Sequence, residues 1–322
     1  MKYHYVVFGC KQEYFSIMFK DAVDKLGVEY IANPIAYNHY NWFLKSLYSI
    51  HHYEYFNWPK ELPLKKLWYP LYYKKKQYQP ICFVFMMDWC KSKYKPLFKL
   101  LRKRYLDCKL VLYLEDIIAS RKGCFEFGIL KEFDEIYTYD KGDADQYHIK
   151  YYPTFMSKLD LPVKQSDKTN CCFWGIEKDR RLIINEIYDF LTSNGLLCDF
   201  LVTRCGDIKA LSNGIKTSKR ERSYISYLQA IVNTDCIVEI MHSSAVGYTL
   251  RTWEALLYGK VLLTNNKSMV NASFFNSKQI IVFDDPKCIN IERLRKMIGE
   301  KYSFNIDSIS PVHFFEMLDT SL

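Results

Sequence analysis

The sequence predicts an α/β protein of two doubly wound domains facing across a cleft, and three observations predict it. Its 322 residues exceed one typical core and suit two domains of about 150 residues each. In both halves short apolar runs alternate with amphipathic helical periods, the rhythm of parallel sheets with helical crossovers. Between the halves, 157–170 (SKLDLPVKQSDKTN) is polar, holds a proline and lacks periodicity, so it reads as a linker joining 1–156 to 171–322.

In the first half, 2–9 (KYHYVVFG) reads as a strand of aromatic and β-branched residues running to a glycine. Residues 13–27 follow as an amphipathic helix stopped by Gly27. The run 80–88 (PICFVFMMD) is apolar throughout, as a strand buried on both faces must be. Residues 94–107 form a basic amphipathic helix; 109–116 and 133–140 are strands around a helical turn, and 148–156 is a last extended piece. The second half repeats the pattern, with strands at 171–175, 198–203, 236–241, 261–264 and 279–285. Its helices are 177–195, 221–234, the segment between Gly247 and Gly259, 289–301, and 312–320, the last free to pack back on the first domain.

A hydrophobic content of 49% with 25% charged residues excludes a disordered chain. The longest apolar run, 81–87, falls far short of the roughly 20 residues of a membrane helix. Lys11 and Glu13 interrupt the N-terminus before any signal-like stretch develops, so a cytoplasmic location is expected. Eleven cysteines without CxxC spacing read as reduced, mostly buried thiols.

The net charge of +9 is concentrated: 64–104 holds twelve Lys or Arg against one acid, Asp88. Its lysines interleave with Trp68, Tyr69, Tyr72 and Tyr73, a composition suited to an anionic membrane surface. Nucleic acid would accept the same composition, but no nucleic-acid-binding motif accompanies it.

Ligands of open parallel sheets bind beyond the carboxyl ends of the strands. In the second half those ends carry Gly175, Thr203, the segment Glu239 to His242, Thr264 and Asp284. Among them lies VGYTLRTWEALLYGKVLLTNN, residues 246–266. A turn at Gly247 leads through Tyr248 and Thr249 into a helix whose first N–H groups suit phosphate oxygens. Arg251, one turn in, can add a forked contact, and Glu254 can accept from ribose hydroxyls. That trio fits a nucleotide diphosphate.

The stretch resembles the donor-binding motif of GT-B glycosyltransferases, in which Glu-Gly-aromatic-Gly-Leu-Pro leads to a second Glu, then Ala and a later Gly. Gly247, Tyr248, Leu250, Glu254, Ala255 and Gly259 match, while Val246, Thr249 and Arg251 stand where the family has Glu, Gly and Pro. Over 236–266 the pattern is more like the glycosyltransferases of bacterial capsule and lipopolysaccharide clusters. The resemblance implies two Rossmann-like domains, the second holding a nucleotide-diphosphate sugar, with Glu254 on the ribose. It also implies a basic residue after the first strand of that domain to meet the pyrophosphate; Lys178, Arg180 and Arg181 in WGIEKDRR (174–181) are the candidates. The acceptor, lipid-linked or an oligosaccharide, and the catalytic base fall to the first domain. Asp88 leads as base, ahead of Glu115, Asp116, His4 and Cys10, and the aromatic stretch 38–58 reads either as a sugar-stacking wall or as a core helix hairpin.

No cofactor beyond the donor and no metal are expected, with charge on the donor met by Arg251, the basic residues of 178–181 and helix N–H groups. Asp143 and Asp145 lie in a polar turn without a strand leading into it, and His51-His52 lacks further ligands at zinc spacing. Structural readings compete at each position: a surface pair for Arg251 and Glu254, a helix cap for Glu239 or Asp88, a core histidine for His242. Rival functions are a non-catalytic sugar-nucleotide or polysaccharide binder and a nucleic-acid-associated protein using 64–104.

Overall fold

The structure, a computed structural model, describes residues 1–51, 64–121, 125–205, 208–220, 222–241 and 247–322. The chain forms two compact units: unit 1 is Met1–Ser157 with Asp307–Leu322, and unit 2 is Lys158–Ile306.

In unit 1, β1 (His4–Phe8), α1 (Glu13–Met18), α2 (Lys20–Leu26), β2 (Glu29–Ile31), α3 (Pro34–Tyr37) and α4 (Trp42–His51) precede β3 (Ile81–Met86). Then come α5 (Lys95–Arg104), β4 (Lys109–Leu114), β5 (Glu135–Thr138), α6 (Lys141–Tyr147) and β6 (Lys150–Tyr151). The sheet order is β2-β1-β3-β4-β5-β6, every pair parallel. Both faces are covered, as the apolar run in β3 demands. Phe83, Phe85 and Leu112 pack with Leu97 and Phe98 of α5 on one face, and Val84 and Tyr113 with Phe15 and Phe19 on the other. That second face is completed by a helix from the far end of the sequence, introduced below.

The single helix expected over 13–27 is broken at Phe19, whose buried ring packs against Tyr30, Phe155 and Phe315. Gly27 closes α2 with φ of 70°, the left-handed turn that glycine takes without cost. Of the extended piece 148–156, only Lys150–Tyr151 pairs as a strand.

Unit 2 runs β7 (Thr169–Ile176), α7 (Arg181–Ser193), β8 (Cys198–Thr203), β9 (Lys216–Ser218), α8 (Tyr224–Asn233) and β10 (Thr234–Glu239). It continues with α9 (Leu250–Leu257), β11 (Val261–Thr264), β12 (Ile280–Val282) and α10 (Ile291–Met297). All pairs are again parallel, in the order β12-β11-β10-β7-β8-β9. The strand order therefore reverses between β7 and β10, the point where open α/β sheets leave a crevice for ligands. Ile184, Ile187 and Leu191 of α7 seal one face with Leu294 of α10; Ile231 of α8 and Ala255 of α9 seal the other.

Most of the segment read as a linker lies on unit 2: Leu159 N–H donates to Tyr258 Oη at 3.1 Å and Lys164 N–H to Asn233 Oδ1 at 2.8 Å. The last helix, α11 (Pro311–Ser321), belongs to unit 1, where Phe314 and Phe315 join the core and Asp319 accepts from Lys2 N–H at 2.7 Å. No helix among the described residues is long and apolar enough to cross a membrane.

Candidate functional site

The carboxyl end of β7 and the residues beyond it bring two arginines together at the reversal point of the unit 2 sheet. Arg180, only 9% exposed, donates to the carbonyls of Ile240, just past β10, and Ile176, at the end of β7, both at 2.5 Å. Arg251 reaches back from the first turn of α9 and donates to the Trp174 carbonyl on β7. Both guanidiniums lie over the ring of Phe173, their carbons 5.8 Å and 5.3 Å from its centroid. Each keeps a buried Nε–H with no hydrogen-bond partner among the described residues. Neither forms a salt bridge among the described residues; both donate to neutral carbonyls, and the fields of Asp179 on Arg180 and of Glu254 on Arg251 act against their mutual repulsion. Burial first, then Arg251, pushes the Arg180 pKa down to about 10. A buried arginine crowded against a half-buried one, each with a spare donor, favours an anion beyond what Asp179 and Glu254 supply.

Gly175 makes room for this arrangement. A Cβ there would stand 2.8 Å from Arg251 Nη2 and 3.3 Å from Phe173 Cζ. Lys178 is exposed in the loop that follows, at φ of 48°. Arg181 turns to Glu177, its Nε donating to that buried carboxylate, and so lies outside the pair.

The two carboxylates of the motif are both fully buried. Glu239 ends β10 and accepts from three threonines: Thr249 at 2.5 Å and Thr252 at 2.9 Å on Oε1, Thr264 at 2.5 Å on Oε2. It thereby locks α9 and β11 to the end of β10. Glu254 accepts from Tyr224 Oη at 2.6 Å and Tyr227 Oη at 2.7 Å, which tie α9 to α8. Burial raises its pKa against the opposing pull of the two tyrosines and Arg251. In this arrangement both Glu254 oxygens are engaged and none faces solvent, so a ribose would have to displace a tyrosine to reach it.

The start of α9 differs from a bare cradle of N–H groups. Thr249 caps it, its Oγ1 accepting from Arg251 N–H at 3.1 Å. The cap is local chemistry: threonine is among the preferred residues at this position. Gly247 takes φ of 89°, and Tyr248 packs on Trp253 and Phe274. His242 lies outside the described residues.

Among the described residues of unit 2, two of the cavities lie near α8, and the arginine pair lines neither of these. One, about 510 Å³, is bordered by Ser218, Lys219, Arg220, Arg222, Ser223 and Ser226, adding three cations where β9 leads into α8. Another, about 420 Å³, is lined by Trp174, Asp199 and Lys216 and shares Ser226 of α8 with the first.

In unit 1 the sheet order reverses between β1 and β3, and four of the five expected base candidates, Cys10, Asp88, Glu115 and Asp116, lie at that carboxyl edge. Glu115 accepts from Met87 N–H at 2.8 Å and, at 3.8 Å, from Cys10 Sγ. Trp89 Nε1 donates to Gly9 O at 3.1 Å across the two strand ends. Asp88 stands exposed in the turn Met87–Trp89, the short helical turn that follows β3. Asp116 lies just beyond Glu115 and is bonded by its oxygen to Ile117 N–H at 2.9 Å. His4 is elsewhere, at the start of β1, paired with Glu29 at 2.8 Å. Asp143 is buried and accepts from Ile118 N–H at 2.8 Å, while Asp145 is exposed, so this pair does not converge. His51 accepts from Trp68 Nε1 at 2.6 Å; His52 lies outside the described residues.

Sequence reasoning missed Phe173, the platform under both arginines, and Tyr224 and Tyr227, which hold Glu254. A faint signal existed: two tyrosines three apart near a helix start share a face.

No protein-family model matches the chain, and no curated protein matches it in sequence. Solved structures match it in fold. A structure of an alpha-glucosyltransferase in complex with UDP and a 13-mer DNA with a central A:G mismatch aligns at TM-score 0.55 and 12% identity, covering 98% of this chain and 99% of that one. An alpha-glucosyltransferase in complex with UDP-glucose and DNA containing an abasic site gives 0.54 at 13% identity, over 92% and 91%. A trehalose-6-phosphate structure from E. coli, bound with UDP-2-fluoro glucose, gives 0.50 at 9% identity, over 99% of each chain. With its two parallel six-stranded sheets, the chain thus has the fold of GT-B glycosyltransferases.

Proposed function

We propose that this protein is a glycosyltransferase that moves a sugar from a nucleotide-diphosphate sugar, of which a uridine diphosphate sugar is our first choice. The acceptor is lipid-linked or an oligosaccharide, in bacterial surface polysaccharide (capsule or lipopolysaccharide) synthesis, and the work is done peripherally at the inner face of the membrane. The observation that carries the donor assignment is the pair Arg180 and Arg251 over Phe173, two cations side by side, each with a buried Nε–H that has no hydrogen-bond partner among the described residues. The fold supports it, since matching structures hold UDP or UDP-sugars.

In this reading the acceptor oxygen bonds to the anomeric carbon while the bond from that carbon to the diphosphate breaks. The departing diphosphate takes the electron pair, and the two guanidiniums, with Lys178 at the loop, neutralise it. Asp88, the exposed carboxylate at the carboxyl edge of unit 1, takes the acceptor proton. Gly175 keeps the space for Arg251. Glu239, Thr249 and Glu254 act as positioning residues for α9, with Gly247 and Tyr248 shaping its approach and His242 beside them in sequence.

Thermal melting with a panel of nucleoside diphosphates tests this, because a ligand of the folded state raises Tm by mass action. UDP is expected to raise Tm, and Arg251→Ala or Arg180→Ala to abolish the rise. A wild-type Tm that no nucleoside diphosphate moves removes the donor assignment. Hydrolysis of the bound sugar nucleotide then separates an enzyme from a binder. A second reading, a nucleic-acid acceptor, is favoured by the basic excess of 64–104 and by DNA in two of the matching structures; steeply salt-dependent oligonucleotide binding would support it.

A further inference from the structure

We propose that the outward face of α4, with the adjoining turn Lys65–Leu71, is a membrane-docking surface that inserts between anionic lipid headgroups. Four large apolar side chains of this ten-residue helix point to solvent: Trp42 is 77% exposed, Phe43 55%, Leu47 41% and Ile50 66%. At 100° per residue they span an arc of about 140°, one continuous stripe. The rest of the unit holds α4 from the other side. Tyr48 packs edge-on against Trp68 at 5.3 Å, and His51 accepts from the Trp68 indole. The stripe therefore faces outward because the anchoring side chains fix the rotation of the helix. On the turn that carries Trp68, Leu64 and Leu67 add to it, 58% and 64% exposed.

Cations frame this apolar surface. Lys45 rises from α4, Lys66 from the turn, and Lys74 lies over the Tyr40 ring at 5.4 Å. No acid occurs in 30–51 and 64–104 has only Asp88, while 52–63 between them holds Glu54, Lys60 and Glu61, so 30–104 keeps a large basic excess. Charge decides the occupant. A second copy meeting the same face by two-fold symmetry would set cations against cations. Nucleic acid would use the lysines but leave four aliphatic and aromatic side chains in water. An anionic bilayer interface satisfies both, taking the apolar stripe into the acyl boundary and the ammonium groups at the phosphates. The inference concerns unit 1 alone and stands apart from the donor site, whose nucleotide-induced Tm rise reports separately.

The experiment is co-sedimentation of the full chain with vesicles of phosphatidylcholine, with and without phosphatidylglycerol. Binding is expected to the anionic vesicles, weakened by salt. The double substitution Trp42→Ala/Ile50→Ala should lower partitioning by about tenfold or more, with Tm unchanged because both side chains are already solvated. Lys66→Gln/Lys74→Gln should weaken binding to the anionic vesicles while leaving the Trp42 and Ile50 contribution intact. Failure of the wild type to bind anionic vesicles overturns the proposal, as does partitioning indifferent to Trp42 and Ile50. So does a dimer in solution that the first double substitution dissociates, or oligonucleotide binding that it abolishes in place of vesicle binding.

Discussion

Arg251 Nη2 occupies the space beside Gly175 so closely that a Cβ on the glycine would stand 2.8 Å from it. Gly175→Ala should therefore move the guanidinium off Phe173 without demanding a new backbone conformation. Nucleoside diphosphate affinity is expected to fall about tenfold, the worth of one charge-assisted contact, with little change in the urea midpoint. Titration calorimetry beside urea unfolding checks both halves, and an unchanged Kd would detach Arg251 from the ligand.

Glu239 takes three threonine hydroxyls at once. Glu239→Ala leaves the buried hydroxyls of Thr252 and Thr264, and that of the half-buried Thr249, seeking partners and opens the junction of β10, β11 and α9. A loss of at least about 3 kcal/mol in unfolding free energy is expected. Glu239→Gln, which keeps the shape and one of the two acceptor oxygens, should lose less than Glu239→Ala in the same urea titration.

Tyr227→Phe removes one of two donors to the buried carboxylate of Glu254. Burial already raises that carboxyl, with Tyr224, Tyr227 and Arg251 pulling the other way. A raised carboxyl contributes stability below its unfolded pKa and loses it as pH climbs through the folded value. Without Tyr227 the anion is held less well. The substitution should cost about 1–3 kcal/mol at about pH 8 and less at about pH 4. Equal losses at both pH values would show that Glu254 is neutral throughout.

Glu29 runs the opposite way. Burial acts to raise it, but bonds from His4, Tyr37 and Lys75 outweigh that and hold it at about 2, below the ordinary 4.5. A lowered carboxyl stabilises the fold above its unfolded pKa, and the contribution drains as pH falls from 4.5 towards about 2. Wild-type Tm should drop across that window, while Glu29→Gln starts lower at neutral pH and follows a flatter curve.

Much of the architecture was legible because apolar period and glycine stops are local properties. β3 announced itself as a strand covered on both faces, and Gly27 ended α2 where expected. Strands β2 and β9, three residues each, are too short to carry an alternation. Gly175 was legible as a strand end, Arg251 as a helix start and Arg180 only through the family resemblance, and the structure brings the three side by side. What Glu254 faces could not be read, since Tyr224 and Tyr227 come from another helix 30 and 27 residues earlier. Likewise the stripe of Trp42, Phe43, Leu47 and Ile50 has the spacing of a core helix, and periodicity says nothing of what lies opposite.

The placement of α11 constrains how the chain can be made. Phe314 lies against Tyr113 and Phe155, and Asp319 clasps the backbone of Lys2, so residues 317 positions apart meet on one face of the first sheet. A ribosome must finish the whole intervening unit before the first sheet can be sealed on that side. Until then the rings of Tyr113 and Phe155 lack the cover that Phe314 supplies.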